Sequence, residues 1–104
     1  MAVVTAQDDT FDSLIAEGIG IVDFFSTHCG PCRVLLPKLL QIEAQMPFIQ
    51  LVKVNTDHCP QLTERFHIAG VPAVYLFKDG VMREHHGFMD IDAIQKDLAM
   101  LLYE

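Results

Sequence analysis

The distribution of apolar residues predicts strands that alternate with helices along most of the chain. Ile21–Phe25 is almost continuously apolar, which is typical of a central strand buried on both faces. Asp79-Gly80 separates two apolar runs near the C-terminal end, and this dipeptide favours a tight β-hairpin. The predicted strands are Val3–Thr5 (an edge strand), Ile21–Phe25, Ile49–Val54, Ala73–Phe77 and Val81–His85.

Apolar residues at helical spacing predict helices between and after these strands. Asp8–Thr10 offers N-cap oxygens to the first helix, and Gly18 suits its C-terminal end. Pro37 lies inside the second helix and is expected to kink it without ending it. Asp90 is the expected cap of the last helix. The helices are predicted at Phe11–Glu17, Pro31–Met46, Gln61–Phe66 and along the stripe Ile91, Ile94, Leu98 and Leu101.

The resulting order is β-α-β-α-β-α-β-β-α, which predicts an α/β fold. Helical crossovers give parallel strand pairs and the hairpin adds antiparallel ones, so we expect a central mixed sheet of four to five strands with helices on both faces. No repeat, low-complexity tract or linker interrupts the chain, and a single domain is expected over residues 1–104.

Charge and composition argue against several classes of partner. The 104 residues carry a net charge of −7, which disfavours nucleic acid and anionic membrane surfaces. The N-terminal residues lack the basic and apolar regions of a signal peptide, and no apolar run is long enough to span a membrane. We therefore expect a cytoplasmic protein, and nothing in the sequence requires more than a monomer.

Candidate chemistry centres on the Cys29-Gly-Pro-Cys32 segment, at the junction between a buried strand and a helix. The N-terminus of a helix stabilises a thiolate, so Cys29 is expected to have the lower pKa and the greater exposure. Its thiolate can attack a disulfide, and Cys32 can then resolve the mixed disulfide. The same spacing forms half of a zinc site, which would need further ligands such as His28 or Cys59, so a metal-binding protein stays an alternative.

The segment from Val22 to Arg33 resembles the active-site segment of thioredoxins, and the resemblance extends over essentially the whole chain. It implies a thioredoxin fold and an enzyme that reduces protein disulfides through a Cys29–Cys32 redox-active disulfide. It also implies disulfide-containing client proteins, no bound cofactor, and electrons from NADPH through a flavin-dependent thioredoxin reductase. The further matching landmarks are Lys53–Asp57, Gly70-Val71-Pro72, Leu76–Gly80, Gly87 and the helix-interior Pro37.

Two charged residues in the predicted central strands are candidates for proton transfer. An ionised carboxylate is costly to bury, so Asp23 is interpreted as an acid–base group that takes the Cys32 proton, through a water. The alternative is an acid at a strand edge that reaches solvent. Thioredoxins place a lysine near this acid, which implies that Lys53 pairs with Asp23; the alternative is an exposed strand lysine.

The resemblance also implies a substrate groove around the cysteines. Thioredoxins carry a cis-proline loop here, so Pro72 is expected to be cis and the Val71 backbone to bind an extended client. His28, Gly30 and Pro31 are expected to contact the client. Gly87 is expected to form another wall, where a side chain would block approach.

The chain departs from the family pattern where thioredoxins usually carry two tryptophans, since Phe25 and His28 stand at these positions. A His28 imidazolium would stabilise the Cys29 thiolate and make the couple more oxidising; alternatively, His28 is an exposed residue with little effect. Cys59 is either an inert thiol or a regulatory or dimer-forming one. Alternative functions are a non-catalytic binding or chaperone module, and a client-dedicated or more oxidising thioredoxin-like protein.

Overall fold

The structure, a computed structural model, describes residues 2–83 and 90–104. Its elements follow the predicted order, and the described strands form one five-stranded sheet in the order β1-β3-β2-β4-β5. The strands are β1 (Ala2–Thr5), β2 (Ile19–Phe25), β3 (Ile49–Asn55), β4 (Ala73–Lys78) and β5 (Val81–Arg83). The helices are α1 (Phe11–Leu14), α2 (Gly30–Gln45), α3 (Pro60–Arg65) and α4 (Ile91–Leu102).

The sheet is mixed, as predicted. β3 pairs in parallel with both β1 and β2, whereas β2–β4 and β4–β5 are antiparallel pairs. β2 therefore lies at the centre of the sheet and β1 at its edge. The carboxyl ends of β2 and β3 and the start of β4 lie at the same end of the sheet, because Phe25 pairs with Asn55 and Phe24 with Ala73.

Helices cover both faces of the sheet. α2 and α4 pack through apolar side chains such as Leu35, Leu39 and Leu98 against one face. α1 and α3 pack against the opposite face, where Phe11 and Leu62 join a second apolar cluster. In the described residues, no helix has the length and apolarity needed to cross a membrane.

The end of the first helix differs from the prediction. α1 stops at Leu14 rather than Glu17, because the following residues bend to meet the β4–β5 turn. The Asp79 carboxylate accepts the Gly18 N–H at 2.8 Å, and the Asp79 N–H donates to the Gly18 carbonyl at 2.8 Å. Gly18 adopts φ +82°, which fits a glycine. The hairpin turn is confirmed, with φ +49° at Asp79 and +86° at Gly80.

The predicted N-cap of α4 is confirmed, whereas the predicted side-chain cap of α1 is wrong. The Asp90 carboxylate accepts the Ala93 N–H at 3.0 Å and caps α4 as predicted. At α1 the N-cap is Thr10, and its side chain does not cap the helix. Asp8 instead accepts the N–H groups of Gln61 and Leu62, in the first turn of α3. α2 continues through Pro37, as expected for a proline that does not end the helix.

Candidate active site

Cys29 and Cys32 lie at the start of α2 and are joined by a disulfide bond. Cys29 is the N-cap residue in an extended conformation, and Pro31 occupies the first turn, where its missing N–H costs no helical hydrogen bond. The Cys32 N–H points to the Cys29 sulfur at 3.2 Å. Cys29 is 8% exposed and Cys32 is 5% exposed, so only a small part of the bridge reaches solvent. A thiolate at Cys29 would thus accept a hydrogen bond from the Cys32 N–H, which has no carbonyl partner within the helix.

Asp23 lies in the middle of the central strand β2 and is only 2% exposed. The side chains of its neighbours Val22 and Phe24 point to the face that α1 and α3 cover. Successive residues of a strand point to opposite faces, so the Asp23 side chain lies on the face that α2 covers. Burial raises the pKa of Asp23 from 3.8 to about 6, against the opposing effect of the Lys53 charge. Its Oδ1 atom is buried without a hydrogen-bond partner among the described residues. Asp23 is therefore not the solvent-reaching strand-edge acid of the alternative interpretation.

Lys53 is the direct neighbour of Asp23 on the adjacent strand β3. It is half-buried, and its Nζ atom lies 5.3 Å from the centroid of the Phe25 ring, a cation–π distance. Within the part of the chain that the structure describes, no nitrogen–oxygen contact of 4.0 Å or less joins Lys53 to Asp23. The two charges therefore interact across a gap, and the Lys53 charge still lowers the pKa of Asp23.

A cavity of about 340 Å³ lies between the carboxyl ends of β2 and β3 and the first turns of α2. Its lining includes the buried residues Asp23 and Cys32 and the exposed residues Arg33 and His58. A water molecule occupies about 30 Å³ of liquid, so the volume suffices for several waters. The remaining lining residues are Phe25, Ser26, Thr27, Leu36, Lys53 and Asn55.

The loop between β2 and Cys29 is held by the loop that follows β3. Thr56 donates to the Phe25 carbonyl from its backbone N–H at 2.8 Å and from its hydroxyl at 3.2 Å. The Asp57 carboxylate accepts the Thr27 N–H at 3.0 Å, and the Asn55 side-chain amide donates to the Thr27 hydroxyl at 3.2 Å. Asn55 and Asp57 were not among the predicted site residues, although both lie in the Lys53–Asp57 segment that resembles thioredoxins. A further signal in the sequence is that polar residues lie at the carboxyl end of a buried strand.

The predicted groove residues lie near the end of the sheet where β2 and β3 finish and β4 begins. His28, Gly30 and Pro31 are exposed around the disulfide. The Val71–Pro72 peptide bond is cis, as expected, and it directly precedes β4 beside the carboxyl end of β2. Val71 is half-buried, and Pro72 is buried. The predicted wall residue Gly87 lies outside the described residues, as do the last two residues of the predicted strand Val81–His85.

Cys59 is fully buried in the apolar cluster under α3, on the opposite face of the sheet from Asp23. Its sulfur lies 3.6 Å from the Ala6 carbonyl oxygen. Burial and the Asp8 carboxylate both raise the pKa of the Cys59 thiol. This environment favours the inert thiol over a dimer-forming one, because a disulfide between chains needs an exposed sulfur. Across residues 2–83 and 90–104, no three His, Cys, Asp or Glu side chains form a group suited to a metal ion.

Comparison with known proteins identifies the family. The thioredoxin family model matches residues 2–100, nearly the whole chain. The chain belongs to the thioredoxin family. It is 38% identical over 97 residues to a thioredoxin of Chlamydia muridarum, covering 92% of this chain and 94% of that protein. It is 33% identical over 81 residues to a thioredoxin of Staphylococcus aureus, covering 77% of this chain and 78% of that protein.

Solved thioredoxin structures share the architecture described above. Mitochondrial thioredoxin 3 of Saccharomyces cerevisiae, in its oxidised form, superposes with a TM-score of 0.83 at 25% identity, over 94% of each chain. Chloroplastic thioredoxin z gives a TM-score of 0.86 at 25% identity, over 100% of this chain and 97% of its own. Family, fold and the Cys29–Cys32 pair together make the protein a thiol–disulfide oxidoreductase, and its enzymatic activity is that of a protein-disulfide reductase.

Proposed function

We propose that Cys29 and Cys32 carry out protein-disulfide reduction, with Asp23 as the proton acceptor for Cys32. The observation that supports this most directly is the placement of the Cys29–Cys32 pair at the first turn of α2, above the cavity that Asp23 lines. Neither a binding module nor a structural domain requires a reactive cysteine pair next to a buried acid of raised pKa.

The reaction proceeds through two sulfur exchanges. The Cys29 thiolate attacks one sulfur of the client disulfide, forming a mixed disulfide and releasing the other client sulfur as a thiolate. Cys32 loses its proton and attacks Cys29, which forms the Cys29–Cys32 bridge and releases the second client thiolate. Two electrons pass from the enzyme to the client. The client sulfurs take up two protons, which balances the two that the enzyme thiols lose.

Asp23 is suited to accept the proton of Cys32. Its pKa of about 6 leaves it ionised at neutral pH yet basic enough to accept a proton transiently. A water in the cavity can bridge the carboxylate to the Cys32 sulfur, because both groups line the same space. The positive charge of Lys53 lowers the pKa of Asp23 and so favours its ionised form.

Client binding uses the groove formed by His28, Gly30, Pro31 and the cis-proline loop. The Val71 backbone offers an N–H and a carbonyl to an extended client segment, and Gly87 is proposed as a further wall. We further propose that the protein acts as a monomer in the cytoplasm on disulfide-containing client proteins. A flavin-dependent thioredoxin reductase that oxidises NADPH is the proposed electron donor.

The decisive experiment measures the reduction potential of the Cys29–Cys32 pair against defined thiol–disulfide buffers. The measurement uses a Cys59→Ser background, because this buried thiol is the chain's third cysteine. A value near about −270 mV is expected for a thioredoxin-like reductant, whereas a value above roughly −200 mV would indicate an isomerase- or oxidase-like couple. The absence of any reversible dithiol–disulfide transition would refute the proposed function and favour the binding module.

The proton-transfer role needs a separate kinetic test. Asp23→Asn keeps the size of the side chain but cannot accept a proton at neutral pH. We expect the resolution of a mixed disulfide between Cys29 and a model client to slow at pH 7, since Cys32 loses its proton acceptor. An unchanged resolution rate in Asp23→Asn would show that Asp23 does not accept the Cys32 proton.

A further inference from the structure

Thr27 is the most extensively held residue of the loop that leads to Cys29. Its N–H donates to the Asp57 carboxylate at 3.0 Å, and its hydroxyl accepts the Asn55 amide at 3.2 Å. Its carbonyl accepts the Arg33 guanidinium at 3.4 Å. Each polar group of Thr27 thus has a partner: Asn55 ends β3, Asp57 lies in the loop after β3, and Arg33 lies in α2.

The partners of Thr27 are themselves fixed. The Asn55 side-chain carbonyl accepts the Asp57 N–H at 2.9 Å, and the Asn55 backbone carbonyl accepts the His58 N–H at 3.0 Å. This loop begins at the last residue of β3, and that residue pairs with Phe25 at the end of β2. The polar groups that hold Thr27 are therefore positioned by the sheet before any client binds.

The lowered pKa of Asp57 favours the ionised carboxylate that accepts the Thr27 N–H. The hydrogen bonds from Thr27 lower the pKa of Asp57, and the neighbouring His58 and His28 charges lower it further. A carboxylate accepts a backbone N–H more strongly than a neutral group does. Asp57 is exposed, so the contact depends on this pairing rather than on burial.

We propose that Asp57 is a positioning residue for the redox reaction, whose carboxylate fixes the loop carrying His28 and Cys29 through the Thr27 N–H. Asn55 and Arg33 support it at the other two polar groups of Thr27. Only His28 separates Thr27 from Cys29, so a fixed Thr27 determines where both the nucleophile and the exposed imidazole face a client. This inference rests on the proposed function of Cys29 and Cys32 and adds a residue that never touches the client disulfide.

The test compares three variants. Asp57→Ala removes the acceptor of the Thr27 N–H, whereas Asp57→Asn keeps an acceptor oxygen and loses only the charge. Asp79→Ala is the matched control, because Asp79 also accepts a backbone N–H across two loops, from Gly18 at 2.8 Å, far along the chain from the cysteines. The readouts are kcat/KM for reduction of a disulfide client and amide hydrogen exchange at Thr27 and His28.

For Asp57→Ala we expect kcat/KM about 3- to 10-fold lower than wild type, the range for loss of one hydrogen bond. The Thr27 amide should exchange at least about tenfold faster. Asp57→Asn should recover part of both values, because a neutral amide oxygen accepts the N–H less strongly than a carboxylate, and Asp79→Ala should leave both unchanged. The proposal is overturned if Asp57→Ala behaves like Asp79→Ala in kinetics and exchange. A wild-type protein without a redox transition would refute the proposed function instead, and amide exchange would still test the Asp57 contact.

Discussion

The substitution Asp23→Asn should make the folded protein more stable at neutral pH. In the wild-type protein, burial raises the pKa of Asp23 from 3.8 to about 6. The folded state therefore binds the proton more tightly than the unfolded chain does. Protonation of Asp23 therefore stabilises the folded state. This stabilisation is complete below 3.8, the pKa of Asp23 in the unfolded chain, and is lost as the pH rises through about 6, its pKa in the folded protein. Each pH unit between the two pKa values corresponds to about 1.36 kcal/mol, so ionised Asp23 costs about 3 kcal/mol at pH 7.

Urea denaturation of the oxidised proteins between pH 4 and 8 measures this difference. Asn has no charge to bury, so Asp23→Asn should exceed wild type by up to about 3 kcal/mol at pH 7 and by less than about 1 kcal/mol near pH 4. Asp9→Asn, at an exposed carboxylate, controls for the general loss of a negative charge. Equal unfolding free energies of wild type and Asp23→Asn at pH 7 would refute the assignment of Asp23 as a buried acid with a raised pKa.

Three further predictions concern the surroundings of the site and the sheet. His28→Trp should lower the reduction potential by roughly 10–30 mV, and an unchanged potential would exclude a role of His28 in thiolate stabilisation. Lys53→Met should raise the pKa of Asp23 above its present value of about 6, as measured by carboxyl NMR titration, since the Lys53 charge lowers it; a lower value would contradict the inferred coupling. Gly20→Ala should destabilise the protein by about 3 kcal/mol or more, because the added methyl group would meet the Gln50 carbonyl and the Phe77 ring. The comparison is Gly70→Ala, where the space is open; equal losses in the two variants would contradict the steric reason.

The central strands and the redox pair could be predicted because their signals are local. The almost continuous apolar run Ile21–Phe25 is typical of a strand buried on both faces, and the structure extends it to Ile19–Phe25. Asp79-Gly80 adopts the positive φ values that the dipeptide favours. The position of Cys29 just before a helix with a proline in its first turn likewise followed from neighbouring residues.

Contacts between distant residues could not be predicted in this way. Asp8 looked like a cap for the helix that follows it, but its carboxylate binds the start of α3, more than 50 residues further along the chain. The early end of α1 depends on Asp79, which reaches Gly18 across 61 residues. The contact between Asp57 and Thr27 has the same origin, since it spans 30 residues and exists only once β2 and β3 are paired.

The burial of Cys59 gives the oxidised protein an internal reporter of local opening. With Cys29 and Cys32 bridged, Cys59 is the remaining thiol of the three cysteines, and it has no exposed surface. A thiol reagent can reach it only when the cluster beneath α3 opens, so the labelling rate divided by the rate of an exposed thiol gives the population of that open state. Measured with and without a bound client, this ratio would report whether client binding near Cys29 and Cys32 lowers the population of the open state around Cys59, on the sheet face opposite Asp23.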